Sequence, residues 1–99
     1  MMLVEERMNQ IERIGRMEQL FDFVSTAIKK LPKVPEKYEE IESAIAVLSE
    51  YYNNDWKQDY LDDEAGFLPK ELKRGVLSED GLWNLFSDWN ELKEQLPIR

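Results

Sequence analysis

Chemistry in this chain would have to come from carboxylates. The stretch DWKQDYLDDEAG, residues 55 to 66, holds five acidic side chains in twelve: Asp55, Asp59, Asp62, Asp63 and Glu64. Residues three or four apart share a helix face, so Asp55, Asp59 and Asp62 or Asp63 align beside a parallel row of Tyr52, Trp56 and Tyr60. Clustered carboxylates suit hard cations such as Mg²⁺, Mn²⁺ or Ca²⁺, which prefer oxygen ligands. Asp55, Asp59, Asp62 and Asp63 are therefore the candidate metal ligands. The chain contains no histidine and no cysteine. That closes off zinc sites of the usual kind, Ser-His-Asp triads and Cys-His pairs. An EF-hand is excluded as well, because placing Gly66 at the sixth loop position makes Leu61 the first ligand and Leu72 the twelfth.

One enzymatic plan survives. All-α nucleotide pyrophosphohydrolases bind Mg²⁺ through carboxylates three or four apart on two helices, and Glu36, Glu39 and Glu40 with Asp59, Asp62 and Asp63 loosely resemble that arrangement. The fit is weak, since nothing obvious would hold a base or phosphates. The competing reading needs no ligand. Like charges one helical turn apart repel by a few tenths of a kcal/mol per pair, so such a cluster calls for compensation. Lys73 and Arg74 follow closely, and an ion network of Asp59, Asp62, Asp63, Lys73 and Arg74 is the expected outcome. It would join the acidic helix to the start of the last helix. The Tyr52, Trp56 and Tyr60 row is expected at the edge of the core, where ring bodies pack and polar tips stay wet. Arg7, Arg13 and Arg16 are expected on a solvated face, paired with nearby Glu.

The elements that must position these groups are helical. Apolar residues recur at Val4, Met8, Ile11, Ile14, Met17, Phe21, Val24, Ile28 and Leu31 in steps of three and four. This predicts helix 1 from about Leu3 to Lys30, roughly 42 Å long. That length implies either a bend or close crossing at Gly15, or an end that reaches past the core to meet a partner. LPKVPE then forms a short connector, with Pro35 at a first helical position. Helix 2 follows with Tyr38, Ile41, Ile45, Leu48 and Tyr52 on one face, giving an antiparallel hairpin with helix 1. Asn53 and Asn54 end it, with Asn54 capping the next helix, or the helix bends and carries on. Residues 55–64 make a short acidic helix closed by Gly66. Pro69 begins a helical turn with Gly75 as its left-handed stop, and Ser78 caps helix 4 with Glu79 and Asp80 in its first turn. Leu82, Leu85, Phe86, Trp89, Leu92 and Leu96 form its stripe, ending before Pro97. The expectation is a single all-α domain over 1–99: a small four-helix arrangement.

Totals limit partners. Apolar residues make up 42% and charged residues 34% of the 99 positions, a globular balance. The formal charge is −8, and residues 34–66, with two basic and ten acidic side chains, account for the excess. Phosphate backbones repel such a surface, which argues against nucleic acid. The longest apolar run is AIAVL, 44–48, far short of a membrane span. Glu5 and Glu6 leave no room for a secretory signal, and the missing cysteines fit a reducing compartment; the cytoplasm is expected. No cofactor is called for beyond the candidate Mg²⁺.

YYNNDW at 51–56, DY at 59–60, DE-x-G at 63–66, LP at 68–69 and RGVLSED at 74–80 together resemble the signature of a small bacterial, all-helical family known only as a domain of unknown function. RGVLSED is the most specific of these motifs. The resemblance spans nearly the whole chain, with its strong motifs within residues 51–80. It implies an intracellular single-domain protein with no established activity, sharing Trp56, Asp59, Asp63, Gly66, Arg74, Gly75, Ser78, Glu79 and Asp80. No catalytic role comes with it. The chain is thus expected to be a non-enzymatic helical protein that binds an unknown protein partner or forms a homo-oligomer; three tryptophans in so short a chain favour interaction surfaces.

Overall fold

A computed structural model describes residues 3–30 and 34–95. Four α-helices follow in order: α1 (Val4–Ile28), α2 (Val34–Asn53), α3 (Trp56–Glu64) and α4 (Gly81–Gln95), with a 3₁₀ turn at Gly75–Leu77 between α3 and α4. No strand occurs among the described residues, and none of their helices is long and apolar enough to cross a membrane. Of the predicted connector LPKVPE, residues 31–33 lie outside the described residues, as does the expected stop at Leu96 and Pro97, whereas residues 34–36 already belong to α2.

The four helices form three rods. α1 is the first. α2 runs antiparallel to it: Lys37, early in α2, reaches the Phe23 ring, whereas Tyr51, late in α2, meets the same Asp59 carboxylate as Arg13. Asn54 and Asp55 make a two-residue turn, after which α3 continues in the direction of α2 toward the start of α1. Asn54 does not cap α3: its Nδ2 donates to the Glu50 carbonyl at 2.7 Å and so holds the end of α2. The chain then reverses. A strap over residues 67–80 returns along α1 from Arg7 to Phe21, and α4 takes over along the second half of α1, antiparallel to α2. The particle measures 50 × 22 × 19 Å, an elongated bundle three rods thick.

Gly66 makes the reversal after α3, and Gly81 makes room where the strap passes into α4. Gly66, at φ +80°, ends α3; the Gly66 amide bonds the Asp63 carbonyl and the Phe67 amide bonds the Asp62 carbonyl, each at 3.0 Å. A left-handed residue there satisfies the last carbonyls without a Cβ clash. Gly81 opens α4 against the strap, where an added Cβ would stand 2.3 Å from Ser78 Oγ and 2.9 Å from the Gly75 carbonyl oxygen. By contrast α1 passes unbroken through Gly15, where a Cβ would meet nothing within 4 Å. The close crossing expected there does not exist.

The apolar core is strongest where α1, α2 and α4 run together. Ile14, Val24, Ile41, Leu48, Leu82 and Trp89 are fully or almost fully enclosed. Trp89 stacks obliquely on Tyr38 at 5.3 Å, and its Nε1–H donates to Glu42, which Lys93 also pairs at 3.3 Å. Toward the start of α1 the predicted apolar stripe gives way: Val4 and Met8 face solvent, while Gln10 is buried. The facing element there is α3, and its inner surface is acidic.

Replacing Gly15 with Ala is expected to stabilise the chain by about 1 kcal/mol, since open helix interior favours Ala. Gly81→Ala is expected to destabilise it by about 1–3 kcal/mol, because backbone as well as side chain must yield. Urea unfolding of the two variants measures the contrast.

Candidate functional site

Asp59 is wholly enclosed, with no exposed surface. Its carboxylate accepts four hydrogen bonds from three side chains. Arg13 donates through Nη2 to Oδ1 at 2.6 Å and through Nε to Oδ2 at 3.1 Å. Gln10 Nε2 donates to Oδ1 at 2.9 Å, and the Tyr51 hydroxyl to Oδ2 at 2.7 Å. One turn on, Asp62 accepts from Gln10 Nε2 at 2.8 Å and Gln58 Nε2 at 2.9 Å, with Arg7 Nη1 at 3.3 Å. Arg7 also donates to Gln10 Oε1, which turns the amide so that its NH₂ group faces both acids. A buried carboxylate is tolerable only when paired and fully hydrogen-bonded, and this one is.

The ionisations follow from the contacts. The hydrogen bond and charge of Asp59 hold the Arg13 guanidinium above its ordinary value, against the opposing effect of burial. Burial first, then the bond to Asp59, push the Tyr51 hydroxyl well up. For Asp62 burial acts upward, but the bonds from Gln10, Gln58 and Arg7 outweigh it and leave the carboxyl lowered.

The other acids point elsewhere. Asp55 is mostly exposed and only 3.9 Å from Arg13 Nε. Asp63 lies 3.1 Å from Arg74 Nε, a close ion pair whose N–H is not aligned for a hydrogen bond. Arg74 spends its outer nitrogens on the carbonyls of Pro69 and Lys70, fastening the strap to itself. Glu64 is exposed.

Several expectations need correction. Lys73 is exposed and joins no ion pair among the described residues; the cations facing Asp59 and Asp62 are Arg13 and Arg7, from the other end of the chain. Arg13 is thus not on a solvated face. No group of three or more His, Cys, Asp or Glu side chains that could hold a metal ion occurs among the described residues, so Asp55, Asp59, Asp62 and Asp63 are not gathered into such a group. The pyrophosphohydrolase plan also fails on distance. Glu36, Glu39 and Glu40 lie in the opening turns of α2, and Asp59, Asp62 and Asp63 lie beyond its far end. From Glu40 to Asn53 alone the helix rises about 20 Å.

Gly75 is not a left-handed helix stop. Residues 69–74 form a turn rather than a helix, and the positive-φ glycine is Gly66. Gly75 instead gives room to Glu18, whose carboxylate oxygens would stand 3.1 and 3.4 Å from an added Cβ. Nor does Ser78 cap α4 through its side chain: its hydroxyl donates to the Gly75 carbonyl at 2.8 Å, and Glu79 and Asp80 precede the helix.

Sequence reasoning missed the clamp on Val76. Glu18 Oε1 accepts the Val76 amide at 2.8 Å, and Trp56 Nε1–H donates to the Val76 carbonyl at 2.9 Å. One residue of the strap is thereby gripped through both its backbone groups, from α1 and α3 together. A signal for the missed residues does exist. Gln10 falls on the seam that continues through Ile14, Met17, Phe21 and Val24, and a polar residue on a core seam asks for a buried polar partner.

An all-α bundle of three rods, pinned by an enclosed carboxylate and a clamped strap, is the class these features define. The chain belongs to the family described as Domain of unknown function (DUF4298), which matches residues 14–97. Arg7, Gln10 and Arg13 precede the matched span. No curated protein and no solved structure matches the chain.

Asp59→Ala would leave Arg13 and Tyr51 without their acceptor, and a loss of about 3 kcal/mol is expected at pH 7. The Tyr51 hydroxyl is raised in the folded state, so its contribution is present below about pH 10 and lost as pH climbs through the raised value. Tyr51→Phe should cost about 1 kcal/mol at pH 7, yet remove that alkaline component of unfolding. Asp62 acts in the opposite window: its lowered carboxyl stabilises above about pH 4, and that contribution disappears as pH falls through the lowered value. Urea unfolding followed by circular dichroism from pH 3 to 12, on the parent, Asp59→Ala, Tyr51→Phe and Asp62→Asn, checks these statements.

Proposed function

We propose that this chain is a non-enzymatic helical module that works by binding another protein or a second copy of itself. The observation that carries the reading is how the buried acids are committed. Asp59 and Asp62 each face fixed donors from two elements, so neither is poised as a general base or cation ligand. Large apolar side chains are meanwhile left in water, Trp83, Phe67 and Met8 among them. Interaction surfaces favour such aromatic and Met side chains.

Thermal unfolding in EDTA and in Mg²⁺ should superimpose. A specific cation at a hundred times its Kd would add about 2.7 kcal/mol, several degrees for a domain of this size, and a shift of that kind would refute the reading. Sedimentation of the pure chain, with chemical cross-linking in cell extract, should give a dimer or a complex of fixed stoichiometry. A strict monomer that cross-links to nothing would count equally against it.

A further inference from the structure

Where α2, α3 and the start of α4 meet, aromatic rings run in unbroken contact. Phe86 meets Tyr52 edge-on at 6.0 Å, Tyr52 meets Trp56 at 5.2 Å, and Trp56 stacks on Tyr60 at 5.0 Å with only 16° between planes. Trp56 is buried; Tyr52, Tyr60 and Phe86 each keep part of a ring in water. Trp83 precedes Phe86 by three residues on α4, so the two share a face. It is 64% exposed, whereas Trp56 and Trp89 are enclosed.

The rim of this face is acidic. Glu79, just before α4, and Glu64, at the end of α3, are both exposed, and their charges raise the Tyr60 hydroxyl. The Tyr60 ring stacks on Trp56 and already has a cation beside it, the ammonium of the exposed Lys57 at 5.9 Å from its centroid. Aromatic faces beside carboxylates recognise a guanidinium, which stacks on the ring and pairs with the acid. The chain's net charge of −8 would draw a basic partner from a distance.

We propose that the face formed by Trp83, Phe86 and Tyr60, with Glu79 and Glu64 at its rim, docks an arginine-bearing peptide segment of a partner protein. This rests on the interaction reading above and names its surface and the chemistry of its partner.

The test is fluorescence titration with a 14-residue amphipathic peptide carrying Arg and Leu at helical spacing, and with its Glu-for-Arg counterpart. Trp83 is the exposed fluorophore, so its emission reports on the site in the parent and in Glu79→Gln. Calorimetric titration with the same peptides compares the parent with Trp83→Ala, which lacks that reporter. Binding of the Arg peptide should weaken as salt rises, and by about tenfold in Trp83→Ala. Glu79→Gln should weaken it less, and the Glu peptide should not bind. Both positions are exposed, so circular dichroism of the variants should match that of the parent. Equal binding of the Arg peptide to Trp83→Ala and to the parent would overturn the proposal. Self-association abolished by Trp83→Ala, with no peptide binding, would assign the face to a second copy and overturn the occupant. A cross-linked complex indifferent to Trp83→Ala would reject this face while sparing the interaction reading. A monomer that binds neither peptide nor protein would reject both.

Discussion

A single carboxylate withdrawn from water fixes the geometry of half this molecule. Burying an unpaired carboxylate costs several kcal/mol, and the cost is offset only when every lone pair finds a donor. Asp59 meets that requirement with Arg13 and Gln10 from α1 and Tyr51 from α2. The three donors must arrive together, so the register of α1 against α2 and the direction of α3 are set at one atom group. α3 is only nine residues long and its apolar contribution is mainly Trp56. Asp59, together with Asp62, which bonds Gln10 and Arg7, holds so short and acidic a helix along the start of α1.

The strap solves the complementary problem. It occupies the third rod where no long helix is available, and an irregular segment against a core must satisfy its own peptide groups. Glu18 takes the Val76 amide and Trp56 takes the Val76 carbonyl. Val76 and Leu77 can then enter the core beside Leu82. The bundle therefore has two regimes. Apolar packing dominates where α1, α2 and α4 are layered, and a polar seam of Arg, Gln and Asp joins α1 to α3. The first tolerates swaps of similar volume; the second depends on each hydrogen bond, because every partner left alone is a buried charge or amide.

These regimes also distribute what the surface can offer. Asp59 and Asp62 are turned inward and held by donors, whereas rings at the junction of α2, α3 and α4 are turned partly outward. Exposed aromatic side chains such as Trp83 and Phe67 are of the kind that interaction surfaces favour.

Periodicity by itself determined the helices, since a 3.6-residue repeat of apolar side chains admits no strand, and missing histidine and cysteine closed whole classes of catalysis. Gly66 was legible too, because a left-handed stop after an acidic helix almost requires glycine. The partners of the acids were not legible. Lys73 and Arg74 are near in sequence, but Asp59 pairs with Arg13, forty-six residues away. Which cation reaches a carboxylate depends on which helices lie side by side, and a one-dimensional pattern does not contain that. The same holds for Gly75 and Ser78, whose residue types suited caps equally well. Only the return of the strap along α1, bringing Glu18 under Gly75 and Val76, decided that Gly75 is there for space and that the Ser78 hydroxyl serves the turn instead of the helix.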